Sequence, residues 1–188
     1  MPKEHYKLID AAGTPDRWWL GTPYDLDGNE VDPDSFGWAQ RLNPRLPLSI
    51  SLRYDGIPMD FTFADFGVPV VNLRTRHILE EFALSEFQTF PATIEGCPGD
   101  YFAVNFLDVR KCVDESQSEF LKWTEADNRP DKLGKFRQIT KLRIDPVRAG
   151  DADIFRLEDF KVILIVSERL QRAFTQADIT GVSFRPVG

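Results

Sequence analysis

One short run constrains this chain more than any other: Lys161-Val162-Ile163-Leu164-Ile165-Val166. Its β-branched, apolar residues form no helical stripe, and the run is too short for a helix of ordinary length. A strand that is apolar on both faces must be covered on both. The run therefore predicts a central, doubly buried strand, and a sheet to hold it.

Other segments supply that sheet. Across residues 46–53, Leu46, Leu48, Ile50 and Leu52 alternate with Pro47, Ser49, Ser51 and Arg53, the period of a sheet with one wet face. Asp55-Gly56 turns the chain after it. Residues 5–9, 101–107, 136–144 and 181–187 are further expected strands; in 136–144, Thr140, Leu142 and Ile144 oppose Arg137, Lys141 and Arg143. Helical spacing joins Ile78, Leu79, Phe82, Ala83 and Phe87 over residues 75–87, opposite Glu80 and Glu81. A second helix is expected over residues 168–177, with Ser167 as N-cap, a stripe of Leu170, Ala173, Phe174 and Ala177, and Gly181 beyond its end. Strands outnumber helices without βαβ alternation, so the expected class is α+β. It would combine a mostly antiparallel or mixed sheet, two main helices and a loop-rich acidic N-terminal lobe. One domain is expected over residues 1–188, with residues 1–45 as the lobe packed on the core.

Charge narrows the partners. The chain carries 30 acids and 23 bases, and residues 1–35 hold eight acids against Lys3, Lys7 and Arg17, or −5 of the total −7. Such a field opposes nucleic acids and anionic membranes. No apolar run approaches a membrane span, and the first residues lack the apolar region of a secretion signal, so a cytoplasmic location is expected. The aromatic residues Trp18, Trp19, Tyr24, Phe36 and Trp38 lie among the acids, which argues for an ordered lobe. Adjacent strand residues point to opposite faces, so at least one of Trp18 and Trp19 is expected in the core.

Four candidate chemistries can be weighed. Asp25, Asp27, Asn29, Glu30, Asp32 and Asp34 offer oxygen ligands, but Gly28 is fourth in a loop starting at Asp25, where an EF-hand needs glycine at the sixth position. The alternatives are a solvated loop turning at Asp27-Gly28 and an acidic contact surface. A thiol hydrolase would need His77 beside Cys97 or Cys112; Cys97 falls in an expected turn, Gly96-Cys97-Pro98-Gly99, and no catalytic signature surrounds any of the three. Two cysteines are also too few for a disulfide framework or a cysteine-built zinc site. No glycine-rich phosphate loop stands between a strand and a helix. Lys132, Lys135, Arg137, Lys141 and Arg143 could meet phosphates or an acidic partner, or form an ordinary solvated sheet face.

Several stretches in a fixed order carry a resemblance. They are Trp18-x-Leu20-Gly21 with Pro23, Pro47-Leu48, Gly56-Ile57-Pro58-Met59-Asp60-Phe61-Thr62, and Asp65-Phe66-Gly67-Val68-Pro69-Val70-Val71. Tyr101-Phe102-Ala103-Val104-Asn105, Cys112-Val113-Asp114, Leu142-Arg143-Ile144-Asp145-Pro146 and Ile154-Phe155-Arg156 follow. Leu164-Ile165-Val166-Ser167-Glu168 with Thr180-Gly181 completes the series. Together they resemble the myxobacterial-type immunity protein family of bacterial polymorphic toxin systems, formerly a domain of unknown function, over nearly the whole chain.

That resemblance implies a cytoplasmic, non-catalytic inhibitor whose partner is a cognate toxin, usually encoded beside it, and it carries over no catalytic residue, metal or cofactor. The expected toxin-binding residues are Trp18, Trp19, Tyr24, Asp25, Asp27, Asp32, Asp34 and Trp38, an acidic surface with aromatic anchors. A small Cys/His or carboxylate hydrolase and a regulatory scaffold are the competing readings. The oligomeric state stays open.

Overall fold

A computed structural model describes residues 4–83 and 86–188. Its first half is built from β1 (His5–Asp10), β2 (Trp19–Tyr24), β3 (Leu48–Tyr54), β4 (Phe61–Ala64), β5 (Val68–Asn72), helix α1 (Leu73–Phe82), β6 (Phe87–Ile94) and β7 (Cys97–Phe106). The second half holds β8 (Val109–Arg110), β9 (Glu119–Lys122), β10 (Phe136–Lys141), the single turn α2 (Pro146–Ala149), β11 (Ile154–Leu157), β12 (Phe160–Ser167), α3 (Glu168–Gln176) and β13 (Val182–Pro186).

These strands form a six-stranded sheet in the order β2-β3-β6-β7-β5-β4, a five-stranded sheet in the order β13-β1-β12-β11-β8, and a β9–β10 pair. Pairing is antiparallel except for β3 with β6 and β11 with β8. The six-stranded sheet curls until its edges β2 and β4 approach each other, giving a nearly closed barrel.

Alternation along the strands divides the apolar residues among three cores. Trp18, Leu20, Leu48, Ile50, Val70, Phe90, Ala92 and Ala103 fill the barrel. From the outer face of β7, Phe102, Val104 and Phe106 meet Leu8, Ile154, Leu164 and Val166 of the five-stranded sheet, with Leu79, Leu170 and Phe174 from α1 and α3. Phe155, Leu157, Ile163 and Ile165 point the other way, toward Cys112, Phe136, Leu142, Ile144 and Val187. β12 is thus third of five strands and feeds a core on each face from Ile163 to Val166, whereas Val162, part of the run expected to be doubly buried, is 77% exposed.

The helices are capped as their sequences dictate. Asn72 accepts the Thr75 N–H (3.0 Å) at the start of α1, and the Ser167 hydroxyl accepts the Leu170 N–H (3.2 Å) at the start of α3. Gly181 has φ +91° and lies so close to β4 that a Cβ would meet the Phe61 carbonyl oxygen at 1.9 Å, so no other residue fits there.

The expected α+β chain with two main helices is corrected: strands hold 44% of the described residues and helical turns of all kinds 20%, in a mostly β architecture with three short α-helices. α1 ends at Phe82, and Phe87, assigned by spacing to the helical stripe, instead opens β6. The rest of that expected helix falls partly on residues 84–85, outside the described residues. Prolines hide strands from a pattern reading, because a missing N–H counts against a strand. Pro23, Pro69 and Pro91 nevertheless stand inside β2, β5 and β6. Within the N-terminal segment β1 lies inside one sheet, matching the strand expected over residues 5–9, while β2, which the pattern does not mark, edges the other. The cysteine turn shifts as well: Glu95-Gly96, with Gly96 at φ +71°, makes the turn, and Cys97 already pairs with Ile94.

Candidate functional site

The acidic segment after β2 is a set of turns whose carboxylates mostly serve the fold. Asp25 Oδ1 accepts the backbone N–H of Asp27 and of Asn29, both at 2.9 Å, around a turn in which Gly28 has φ +80°. These bonds, first among them the Asn29 backbone N–H, hold the Asp25 carboxyl below its ordinary range. Asp27 takes both its oxygens to Arg45 Nη1, at 2.7 and 2.6 Å. Asp32 accepts the Asp34 N–H (3.0 Å) and caps the 3-10 turn Pro33–Gly37. That turn drives Phe36 into the barrel, edge-on to Phe90 with ring centroids 6.1 Å apart. Asp34 makes no ion pair among the described residues.

The rings divide sharply. Trp18 is 1% exposed and packs on Tyr101 in the barrel core, whereas Trp19 is 37% exposed on the outside. Tyr24 and Trp38 are exposed. The structure therefore brings Tyr24, Asp25, Asp27, Asp32, Asp34 and Trp38 onto one run of surface turns, places Trp19 at the head of β2, and keeps Trp18 inside. The Trp38 carbonyl is tied to β12 by Lys161 Nζ at 2.8 Å, which anchors the far end of these turns.

Arg17 organises the base of this region. It is buried, bonds Asp10 of β1 (2.6 Å) and the Thr62 hydroxyl of β4 (2.6 Å), and lies 4.8 Å from the Trp19 ring centroid. One guanidinium thus joins both sheets at the mouth of the barrel. Sequence reasoning did not assign it a role, although a lone arginine beside Trp18-Trp19 in an acidic segment is a usable signal.

The residues of the hydrolase reading do not converge. His77 is exposed on α1, Cys97 lies partly buried against the barrel core, and Cys112 belongs to the core on the far side of the five-stranded sheet. Burial pushes the Cys112 thiol up to about 11, opposite to the activation a nucleophile needs. Among the described residues no group of three or more His, Cys, Asp or Glu side chains is arranged to hold a metal ion.

Two of the five bases in the basic stretch make ion pairs among the described residues. Arg137 pairs with Asp127 at 2.6 Å and Lys141 with Glu119 at 3.8 Å, while Lys135 Nζ donates to the Asp131 carbonyl. Arg129, Lys132 and Arg137 gather within 6.0 Å of the Trp123 ring centroid, an arrangement that the sequence spacing did not suggest. Two exposed rings were also missed, Tyr54 at the end of β3 and Phe66 in the turn between β4 and β5.

A search of curated proteins returns no match. No helix among the described residues is long and apolar enough to cross a membrane. The model of an immunity protein family, Imm11, matches residues 9–188, a span that includes every element of both sheets except the first four residues of β1, together with the acidic turns. With nearly every element of the fold inside that match, the chain belongs to the Imm11 immunity protein family.

Proposed function

We propose that this chain protects its producer by binding a cognate toxin of a polymorphic toxin system in the cytoplasm and blocking it stoichiometrically, without catalysis. Membership of the immunity protein family carries this reading. The contact surface is the acidic turn region, with Tyr24 and Trp38 as exposed anchors and Asp25, Asp27, Asp32 and Asp34 as its field. Aromatic anchors ringed by charge are the usual make-up of a tight, steered interface. The −7 net charge favours a basic target, such as a nuclease with a positive groove.

Co-expression with the product of the neighbouring toxin gene tests the reading. Cells survive with the wild-type chain and with Cys97→Ser, Cys112→Ser and His77→Ala, and the purified pair forms a complex of fixed stoichiometry. A folded Cys or His variant that still binds the toxin but no longer protects would overturn the binding mechanism in favour of a hydrolase.

A further inference from the structure

Residues 25–47 carry the chain from β2 to β3, and the 3-10 turn Pro33–Gly37 is the one regular element among them. Connections beyond ~15 residues with so little structure of their own are uncommon and usually functional. This one holds Asp25, Asp27, Asp32, Asp34 and Trp38, most of the contact surface assigned above, so whatever fixes its shape bears on binding.

The outgoing arm is fixed by the Asp25 and Asp32 turns and by Phe36 in the barrel. The returning arm is held by side chains. Gln88 on β6 and Asn105 on β7 are cross-strand partners, the next same-face pair after Phe90 and Ala103 of the barrel core. Gln88 Oε1 accepts the Leu42 N–H (2.9 Å) and its Nε2 donates to the Leu42 carbonyl (3.1 Å), the two bonds that a residue of a neighbouring strand would make. Asn105 Nδ2 donates to the Gln40 carbonyl (2.7 Å) and to Gln88 Oε1 (3.0 Å). Arg41, between these points, pairs with Glu86, and Leu42 packs against the barrel core.

Two features set this buckle apart from ordinary loop packing. Asn105 is fully buried, yet its Oδ1 has no hydrogen-bond partner among the described residues. An unmade buried acceptor costs stability, which an apolar residue here would avoid. Ala39 sits at φ +54°, a left-handed backbone that a non-glycine residue rarely adopts. Lys161 holds the Trp38 carbonyl on one side of it (2.8 Å), and Asn105 holds the Gln40 carbonyl on the other. Strain of this kind persists only where the surroundings over-determine it. Trp38, whose N–H also donates to the Ser35 carbonyl (3.1 Å), thus has its backbone tied on both sides while its ring stays exposed.

We propose that Gln88 and Asn105 are positioning residues for toxin binding: they buckle residues 38–42 so that Trp38 and the acidic turns hold their toxin-bound shape before the toxin arrives. This rests on the immunity reading, with the acidic turns as its contact surface. A loop already ordered loses less freedom on binding, so opening the buckle weakens the complex without removing a contact.

One readout needs no toxin. Trypsin reports on the buckle, because cleavage after the exposed Arg41 attacks the very peptide group whose N–H Gln88 holds. Gln88→Met has a similar reach and cannot make these bonds, so it is cut there about tenfold faster at an unchanged urea midpoint. Its affinity for the neighbouring gene's toxin, inactivated in its own active centre, falls about fivefold or more. Gln88→Glu, nearly isosteric, loses only the bond to the Leu42 carbonyl; it shifts both readouts in the same direction by less and serves if the methionine variant does not fold. Cleavage at the wild-type rate in the folded variants overturns the buckle. Faster cleavage at every lysine and arginine alike, with a lowered midpoint, marks general destabilisation and overturns it too. Faster cleavage after Arg41 with wild-type affinity overturns the positioning role alone if Trp38→Ala weakens binding. If Trp38→Ala also binds like the wild type, the acidic-turn surface falls with it. Failure of the wild-type chain to bind the toxin overturns the immunity reading and the positioning role together.

Discussion

The two large sheets share one apolar layer and differ in everything else they face. The five-stranded sheet is covered on both sides, by the inter-sheet core and by the core under the β9–β10 pair. The curled sheet keeps its second core inside itself, and its outer rim is open. Exposed aromatic residues follow that difference: Trp19, Tyr24, Trp38, Tyr54 and Phe66 all fall between residues 19 and 66, and none of the exposed aromatics lies on the five-stranded sheet. Enclosure frees a sheet's rim to carry rings without exposing the core, whereas a sheet used on both faces has no spare surface. The division separates what holds this fold together from what it can present to a partner.

The largest expected effect lies where the two sheets are locked. Gly181→Ala would put a methyl 1.9 Å from the Phe61 carbonyl at a φ of +91°, and the expected loss is more than ~4 kcal/mol. Soluble expression and urea denaturation measure it, and a loss under ~1 kcal/mol would show that the two sheets are not locked there.

Leu164→Ala removes a side chain from the inter-sheet core and should cost ~2–5 kcal/mol. Tryptophan fluorescence is weighted toward the curled sheet through Trp18, Trp19 and Trp38, while far-ultraviolet dichroism reports on both sheets. Coincident transitions in this variant mean one cooperative unit. If fluorescence keeps the wild-type midpoint while dichroism shifts, the barrel folds independently and the comparison is sharper than drawn here.

One buried thiol lets alkaline pH probe the doubly covered sheet. The Cys112 thiol is pushed from near 9 up to about 11 by burial, so the folded chain keeps its proton where the unfolded chain loses it. The stability this lends is complete below about pH 9 and disappears as pH climbs to about 11, a loss of ~2 kcal/mol. Subtracting the pH profile of Cys112→Ala from that of the wild type isolates the effect. A difference that is flat across this window would contradict the burial of Cys112.

Arg156 on β11 works against its own sheet. It is buried, its Nη1 donates to the Lys161 carbonyl at 2.5 Å, its Nε and Nη2 have no hydrogen-bond partner among the described residues, and burial pulls its guanidinium down to about 10. Replacing an uncompensated buried charge by an apolar chain of similar reach is often favourable, so Arg156→Met should be neutral or stabilising by ~1 kcal/mol. A clear fall in melting temperature would mean that the guanidinium stabilises the fold.

The smallest effect on stability belongs to the rim. Asp25→Asn, Asp27→Asn, Asp32→Asn and Asp34→Asn together should leave the urea midpoint close to that of the wild type, because asparagine can still accept the turn and cap bonds. Toxin association should slow, with a weaker dependence on salt. An unchanged on-rate would move the steering surface elsewhere.

Much of the doubly covered sheet is legible in the sequence, and of the barrel β3 and β7 are, over residues 46–53 and 101–107. The run ending in Val166, the Ser167 cap and the Leu170-Ala173-Phe174 stripe are local patterns, and each appears where its period places it. The rest of the barrel depends on features without a period. Gly21 lets β2 approach Ser51, whose hydroxyl would lie 2.5 Å from a Cβ there. Nothing in the sequence around Phe66 marks its left-handed backbone. The acidic segment shows another limit: its composition does not reveal that Asp25, Asp27 and Asp32 also serve a turn, an ion pair and a cap. Trp18 and Trp19 show the limit well, because alternation requires that the pair split and cannot say which ring turns inward.

The seam where β2 approaches β4 without a backbone ladder also bears on how the chain avoids its own kind. An open sheet presents two rows of unpaired backbone groups that can recruit a neighbouring molecule into an extended ribbon. Here β2 and β4 look into each other across the seam, so each edge screens the other from a stranger's strand. The five-stranded sheet uses other means, a two-residue edge strand in β8 and a β13 that ends on Pro186. The curled sheet thereby gains much of the edge protection of a closed barrel without a backbone ladder between β2 and β4.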